Sequence, residues 1–325
     1  MKKTKIHKIV PILILAVGIN LTSCSDDFLD PGVTQYATSS DMVAAGGDVI
    51  NSILLGAYNV MIEYQGSHDV YGEMALGLAG DMMTEDITFG LMVHWHNFDY
   101  FIDNNGPTYR RVVMTWNYLY GVISKCNEVI QAIPPDIEDN PSVEGVLAQA
   151  LALRAYAYSL LAQRFQQTYV GNETRPGVPL TLTANDAEET ITNRAPLNVI
   201  YAKIVADLNR AIELFENAPA RTNKTVIDKQ VAAGILARVY MVMHNWTGAV
   251  EMARMAREGY SLMNTTEIVN DNFGDIGNKE WMWGADITPE NTTMFASFFS
   301  HICSTDQGYG QSNFAPKCID AKLYS

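Results

Sequence analysis

The segment from Asp228 to Tyr260 constrains the fold most, because it contains two helix-length runs joined by a turn at His244-Asn245. In each run apolar residues recur at steps of three and four, which places them on one face of a helix. These residues are Ala232, Leu236, Val239, Tyr240 and Met243, then Trp246, Ala249, Val250, Ala253 and Ala256. Ala233 and Ala237 allow a neighbouring backbone to approach closely, and Trp246 is predicted to fill the wedge between the two helices. Such a hairpin cannot bury its faces alone, so it predicts similar hairpins stacked on it.

Four further helical segments follow from the same periodicity and bring the total to three hairpins. Their pattern resembles tetratricopeptide repeats, in which helix pairs stack into a right-handed solenoid. The predicted fold class is therefore mostly α, with long irregular loops and few short strands, in a single domain over residues 39–325. Residues 65–107 and 261–325 are expected to be loop-rich, and 278–286 alternate as a short strand would. The predicted pairs are about 40–64 with 108–132, 143–168 with 197–216, and 228–244 with 246–260.

Composition and charge exclude several classes of function. The 325-residue chain is 48% apolar, enough for a core, and its net charge of -14 argues against a nucleic-acid partner. Its four cysteines form no Cys-x-x-Cys pair, and neither a phosphate-binding glycine loop nor a Gly-x-Ser-x-Gly elbow occurs, so no cofactor is predicted. Cys303 and Cys318 could bridge a surface loop in an oxidising compartment; buried free thiols are an equally good interpretation.

The first 23 residues have the three parts of a secretory signal peptide. Four lysines precede the apolar run from Ile9 to Ile19, which is too short to span a membrane, and small residues follow it. The run ends at Leu21-Thr22-Ser23-Cys24, which is similar to a bacterial lipobox. Cleavage before Cys24 and lipidation of this cysteine would anchor the chain to a membrane, with residues 24–38 as a tether. An ordinary signal peptide with an incidental cysteine is the alternative.

Residues 65–107 are predicted to carry the binding site. This stretch lacks sustained helical periodicity, and long irregular insertions in compact proteins are usually functional when they are ordered. A site that holds a ligand by stacking and hydrogen bonds needs flat apolar rings beside planar polar groups, and His94-Trp95-His96-Asn97 supplies both. Trp95 is the first candidate for a stacking platform, although packing of this ring as a small core under the loop is an equally good interpretation. The remaining candidates are Tyr71, Asp81 and Asn97, then Tyr309, for which core packing is favoured.

Two other interpretations of this stretch are weaker. His94 and His96 would share one face of an extended segment, with Asp99 or His68 as a third ligand, but two histidines without a fixed third ligand do not define a metal site. Asp81, Glu85 and Asp86 resemble glycosidase carboxylates only in residue type, because that chemistry needs two carboxyls at a defined separation across a cleft. Neither a metal nor an enzymatic activity is therefore predicted.

Four motifs follow one another along almost the whole chain. They are the lipobox with Asp26-Asp27-Phe28-Leu29-Asp30 after it, Arg154-Ala155-Tyr156-Ala157-Tyr158 leading to Gly177-Val178-Pro179-Leu180, Val199-Ile200-Tyr201 leading to Asp207-Leu208, and Ala233 to Tyr240 with Asn245-Trp246-Thr247-Gly248-Ala249. In this order they resemble the SusD/RagB-type outer-membrane nutrient-binding lipoproteins. Members of that family run well past residue 325, so the C-terminal part of the domain is expected to be missing.

The resemblance implies binding and delivery, without catalysis. Such proteins form a lid on a SusC-like TonB-dependent outer-membrane transporter, capture oligosaccharides or other nutrient polymers, and pass them inward. The implied partners are therefore a glycan, that transporter and the outer membrane, to which the lipid on Cys24 would hold the chain facing the cell exterior. The alternatives are a helical-repeat scaffold that binds only protein, and a polysaccharide-cleaving enzyme.

Overall fold

The computed structural model describes residues 47–89, 95–96, 99, 106–134, 140–183, 193–270, 274–303, 308–309 and 317–324. Over these residues the protein is mostly helical, with ten helices and two short strands, which confirms the predicted fold class. The elements in chain order are α1 (Gly47–Val60), α2 (Glu73–Met82), β1 (Ile87–Phe89), α3 (Arg110–Ala132), α4 (Pro141–Phe165), α5 (Leu197–Leu214), α6 (Lys229–Val242), α7 (Trp246–Ala256), α8 (Thr265–Val269), α9 (Phe298–Ile302), β2 (Lys317–Ile319) and α10 (Ala321–Tyr324).

The six longer helices pack in succession. After α1 packs on α3, each helix contacts the next in the order α3, α4, α5, α6 and α7. Each of the six helical segments predicted from periodicity overlaps one of these helices, and five contain theirs completely; α4 begins at Pro141, two residues before the predicted start. The division of the chain into domains stays a prediction. Successive antiparallel packing of this kind buries the apolar stripe of each helix against both neighbours.

Helix α4 is the centre of the core. It contacts α1, α3 and α5, and its buried positions run almost all the way round the helix. Six of these are alanines, whose small side chains let three neighbouring backbones approach: Ala148, Ala150, Ala152, Ala155, Ala157 and Ala162. Among the described helices, α4 is also long and apolar enough to cross a membrane, but 78% of its apolar window is buried inside the protein, as in a core helix.

A buried ion pair joins α4 to its neighbours. The Arg154 guanidinium donates to both carboxylate oxygens of Asp207 on α5, at 2.9 and 3.1 Å. Its third nitrogen donates to the Asn127 side-chain oxygen on α3, at 2.8 Å. All three side chains are almost fully buried, so each charge and each polar atom depends on the others. This network explains why an arginine and an aspartate stand within otherwise apolar helical stripes.

The turn between α6 and α7 lies where it was predicted, but Trp246 does not fill the wedge. Asn245 caps α7 by accepting from the Gly248 backbone N–H at 3.1 Å, and His244 takes a left-handed φ of 58°. A side chain at Gly248 would meet the Tyr240 ring within 2.8 Å, so Tyr240 already occupies the wedge. Trp246 instead remains 58% exposed and stacks on His244, with ring centroids 5.0 Å apart. That prediction was wrong.

Two differences concern the loop-rich parts. Residues 73–82 form the ten-residue helix α2, within a stretch expected to hold only short elements, and it buries Leu76, Leu78 and Met82. The strand predicted at 278–286 is absent from the structure. In this segment the Trp283 indole N–H donates to the Thr225 backbone carbonyl at 3.1 Å, so a side-chain hydrogen bond takes the place of strand pairing. The strands that do form are β1 and β2, which pair antiparallel.

Candidate functional site

A group of six rings gathers at the loop-rich side of the helical stack, and we call it the aromatic cluster. Its members come from three distant parts of the chain and are His68, Tyr71, Trp95, Phe295, His301 and Tyr309. The outer rings are partly exposed. His68 lies between them, with centroids 5.1 Å from Trp95, 5.7 Å from Phe295 and 5.7 Å from Tyr309.

A hydrogen bond, an edge-to-face ring contact and a cation–π contact hold the exposed layer of the cluster in place. The Tyr309 hydroxyl and the His68 Nδ1 are hydrogen-bonded, and the Trp95 and Tyr309 rings meet edge to face at 6.2 Å. The Arg110 guanidinium lies 5.3 Å from the centre of the Trp95 ring, a cation–π distance. Arg110 is part-exposed and therefore adds hydrogen-bond donors beside the exposed rings.

The inner layer is buried and supports the outer one. His301 stacks between Tyr71 and Tyr309, at centroid distances of 5.6 and 5.0 Å. Its Nε2–H donates to the His68 carbonyl at 2.8 Å, since a carbonyl can only accept. Burial lowers the pKa of His301 to about 3 and also lowers the pKa of His96. Both imidazoles are therefore neutral at physiological pH.

A buried ion cluster fixes the floor beneath these rings. Arg111 pairs with Asp99 at 2.8 Å and also contacts Asp69, whose second cation is Arg110 at 2.9 Å. The His96 Nδ1–H donates to Asp99 at 2.9 Å. Burial alone would raise the pKa of the Asp99 carboxyl, but the hydrogen bonds from His96 and Arg111 hold it well below its ordinary value. The carboxylate therefore stays ionised and locks the segment that carries Trp95.

The structure brings together four of the predicted binding residues. Trp95 and Tyr309 lie in the partly exposed layer, whereas Tyr71 and His96 are each 1% exposed and lie underneath. Asp81 is exposed in the last turn of α2 and shares no ring contact, hydrogen bond or ion pair with the cluster in the described part of the chain. The predicted residues His94, Asn97 and Cys24 lie outside the described residues.

Sequence reasoning missed four residues of the site. His68 was considered only as a possible metal ligand, Phe295 and His301 were not considered as binding residues, and Arg110 stands at the start of a helix of which only the apolar positions were used. Arg110 and Arg111 are adjacent, which places them on different faces, one toward the rings and one toward the buried carboxylates. The sequence signal that could have identified Arg110 as a site residue was this pair of adjacent arginines at the start of an apolar helix.

The arrangement offers groups that can hold a ligand by stacking and hydrogen bonding. Within the described residues, no three histidine, cysteine or carboxylate side chains are placed to hold a metal ion. No disulfide joins Cys303 to Cys318. What the site offers is flat apolar surface from Trp95 and Phe295 with polar atoms at its edge, the combination that recognises a sugar ring by stacking and by hydrogen bonds to its hydroxyls.

A stack of helical hairpins with an aromatic binding surface on its loops is the class of protein that the fold and site define. A family model described as "Starch-binding associating with outer membrane", of the SusD-like group, matches residues 27–241. The chain belongs to this SusD-like family.

Individual relatives agree with the family. A SusD-like protein P2 of Formosa agariphila is 28% identical over 266 residues, which cover 78% of this chain and 46% of the relative. The crystal structure of a SusD-like carbohydrate binding protein from Bacteroides vulgatus superimposes with a TM-score of 0.69 at 25% identity, covering 78% of this chain and 53% of that one. A laminarin binding SusD-like protein shares the fold at 21% identity, with a TM-score of 0.53 and coverage of 70% and 49%. The chain thus spans about half the length of these relatives.

Proposed function

We propose that the protein binds oligosaccharides at the aromatic cluster, without cleaving them. The observation that carries the proposal is the partly exposed layer of Trp95, Tyr309, His68 and Phe295, with the Arg110 guanidinium at its edge. Sugar rings present C–H faces that stack on aromatic rings, and hydroxyls that bind planar polar groups. Two of the relatives are described as carbohydrate or laminarin binding, which supports the same ligand class.

The buried layer explains why such a surface would bind well. Tyr71, His96 and His301 occupy the space under the exposed rings, and the Arg111–Asp99 pair holds the segment from below. Because the exposed rings are already fixed, they lose little conformational entropy when a ligand binds. More of the free energy of the contacts therefore contributes to the affinity.

We further propose that the glycan is delivered to a SusC-like TonB-dependent transporter in the outer membrane. The family description, with its association with the outer membrane, supports the location. The lipobox ending at Cys24 supports lipid anchoring, and the helical stack offers an extended rigid surface of the type that binds a protein partner. Co-purification of the membrane-anchored protein with a TonB-dependent transporter from the same outer membrane tests this step, and its absence from such preparations would contradict it.

The glycan proposal is tested by titration calorimetry with soluble oligosaccharides, including β-1,3-glucan oligomers, on the protein and on Trp95→Ala. Removal of this ring is expected to weaken binding about tenfold or more, because central aromatic residues carry a large share of interface free energy. Trp246→Ala is the matched control, since Trp246 is exposed on α7 and belongs to no part of the cluster. It is expected to leave the affinity unchanged.

The outcomes separate the competing functions. Binding lost in Trp95→Ala and kept in Trp246→Ala, with both variants folded by circular dichroism, supports the proposal. Equal binding by both variants moves the site away from the cluster. No binding of any glycan leaves the protein-binding scaffold, and release of shorter sugars during the titration would establish an enzyme instead.

A further inference from the structure

A second concave site lies beside the aromatic cluster and shares none of its six rings. It is a cavity of about 460 Å³, within the range of small-ligand pockets. It opens between α1, α2, α4 and the segment around residues 283–291. We call it the carboxylate pocket, after the two acidic side chains in its lining, Glu73 and Asp286.

Three aromatic rings form the wall of the carboxylate pocket. Trp283 stands edge-on to Tyr156, with centroids 5.4 Å apart, and edge-on to Tyr58 at 6.5 Å. Each ring is anchored at its polar end. The Trp283 indole donates to the Thr225 carbonyl at 3.1 Å, and the Tyr58 hydroxyl donates to Gln149 at 3.2 Å. The ring faces are therefore held in place and do not depend on a ligand for their orientation.

The Glu73 carboxylate is fixed in the pocket without a cation. It accepts hydrogen bonds from the Tyr118 hydroxyl at 2.7 Å and the Tyr156 hydroxyl at 3.0 Å, one on each oxygen. None of the ion pairs within the described part of the chain includes Glu73, although its side chain is only partly exposed. Burial and the Glu73 charge raise the pKa of both phenols, so these remain protonated donors. Its position in the first turn of α2 places the carboxylate at the positive end of the helix dipole.

The charge of the lining is one-sided. Besides Glu73 it includes Asp286, which is exposed at the rim, whereas none of the described lining residues is a lysine, arginine or histidine. Aromatic faces attract cations through their quadrupoles, and a fixed carboxylate adds a direct Coulomb attraction. Arg164 and Arg238 are near enough to act on the phenols that hold Glu73, but neither lines the pocket. A neutral sugar would use the rings and would leave the Glu73 carboxylate with its two phenol hydrogen bonds alone.

We propose that the carboxylate pocket binds an organic ammonium group, with Glu73 as its counter-ion and Tyr58, Tyr156 and Trp283 as its aromatic wall. An amine-bearing sugar fits the pocket by size, charge and ring surface. The proposal does not depend on glycan binding at the aromatic cluster, because the two sites share no side chain.

The test is calorimetric titration with two probes on the same sugar backbone, the β-1,4-linked dimer of glucosamine, which carries amines, and its N-acetylated form, in which neutral amides replace them. At about pH 6.5 an amine of ordinary basicity is protonated. The amine dimer is expected to bind at least about tenfold more tightly than the acetylated dimer. Glu73→Gln keeps the size of the side chain and removes the charge, and should abolish that difference. Asp81→Asn makes the same charge change on an exposed carboxylate of the same helix and should alter nothing.

Several results would overturn the proposal. They are equal affinity for the two dimers, an unchanged preference in a folded Glu73→Gln variant, or loss of amine binding in Trp95→Ala, which would place the probe on the aromatic cluster. If the Glu73→Gln variant does not fold, the Asp286→Asn variant provides the test of the pocket, because the exposed Asp286 side chain is not needed for folding. A twofold to threefold weakening of amine binding in that variant, about 0.5 kcal/mol, supports the pocket, and no weakening refutes it.

Discussion

The stability of the protein should fall with pH below about 6.5 because of His301. This imidazole is fully buried between Tyr71 and Tyr309, and burial lowers its pKa from 6.5 to about 3. In the unfolded chain the same group takes up a proton near pH 6.5. The unfolded state therefore binds more protons than the native state in the window between pH 6.5 and 3, and the stabilisation that is present above this window is lost as the pH falls through it.

The size of the effect follows from the width of the window. Each pH unit below 6.5 removes about 1.4 kcal/mol per group, so a change from pH 8 to pH 5 costs about 2 kcal/mol through His301 alone. Burial shifts the pKa of His96 in the same direction, which adds to the loss. This is a large fraction of the free energy of unfolding of a typical domain.

Urea denaturation at pH 8, 7, 6 and 5 measures the loss, and His301→Phe isolates its source. Phenylalanine retains the ring stacking but cannot donate to the His68 carbonyl, so the variant should be about 1 kcal/mol less stable at pH 8. Between pH 8 and pH 5 it should lose about 2 kcal/mol less than the unmodified protein. His244→Asn is the control, because this exposed residue has a left-handed φ of 58° that asparagine tolerates. A His301→Phe variant with the same pH dependence as the unmodified protein would refute the assignment.

Two further substitutions test the core and the backbone. Asp207→Asn leaves the buried Arg154 charge without its carboxylate and should lower the free energy of unfolding by about 3–5 kcal/mol, measured by urea denaturation at neutral pH. Gly72→Ala should be at least as damaging, because φ is 70° and the new Cβ would lie 1.9 Å from the Met61 carbonyl oxygen. Gly66→Ala also has a positive φ, but opens into free space, so it should cost only about 1–2 kcal/mol. Equal losses for the two glycines would contradict the steric argument.

The helical stack could be predicted because its signal is local and repeated. Ala155, Tyr158 and Leu161 recur at helical steps, and the cap at Asn245 marks a turn within the sequence itself. The position of Trp246 was predicted wrongly because periodicity assigns a residue to a helix face only. It does not determine whether the Tyr240 ring or the Trp246 ring fills the space between the two helices.

The candidate site was only partly predictable, because distant segments build it. Trp95 could be selected from its polar neighbours, but its contact with Tyr309 depends on how two segments far apart in the sequence meet. The strand expected at 278–286 does not form, for a related reason. Apolar and polar residues alternate there, but the Trp283 indole donates a hydrogen bond to Thr225, which lies in another loop. No periodic pattern in the sequence indicates either contact.

The pairing of β1 with β2 bears on how the protein folds. Ile87 faces Ile319, so this short ladder closes a loop that contains most of the described chain. The helices, in contrast, pack on their neighbours in sequence and close much shorter loops, which form sooner. His68, His301 and Tyr309 likewise meet across that large loop. We therefore expect the ring surface to assemble last. Ligand binding during refolding would then report completion of the whole molecule, whereas helical circular dichroism would report only the earlier stage.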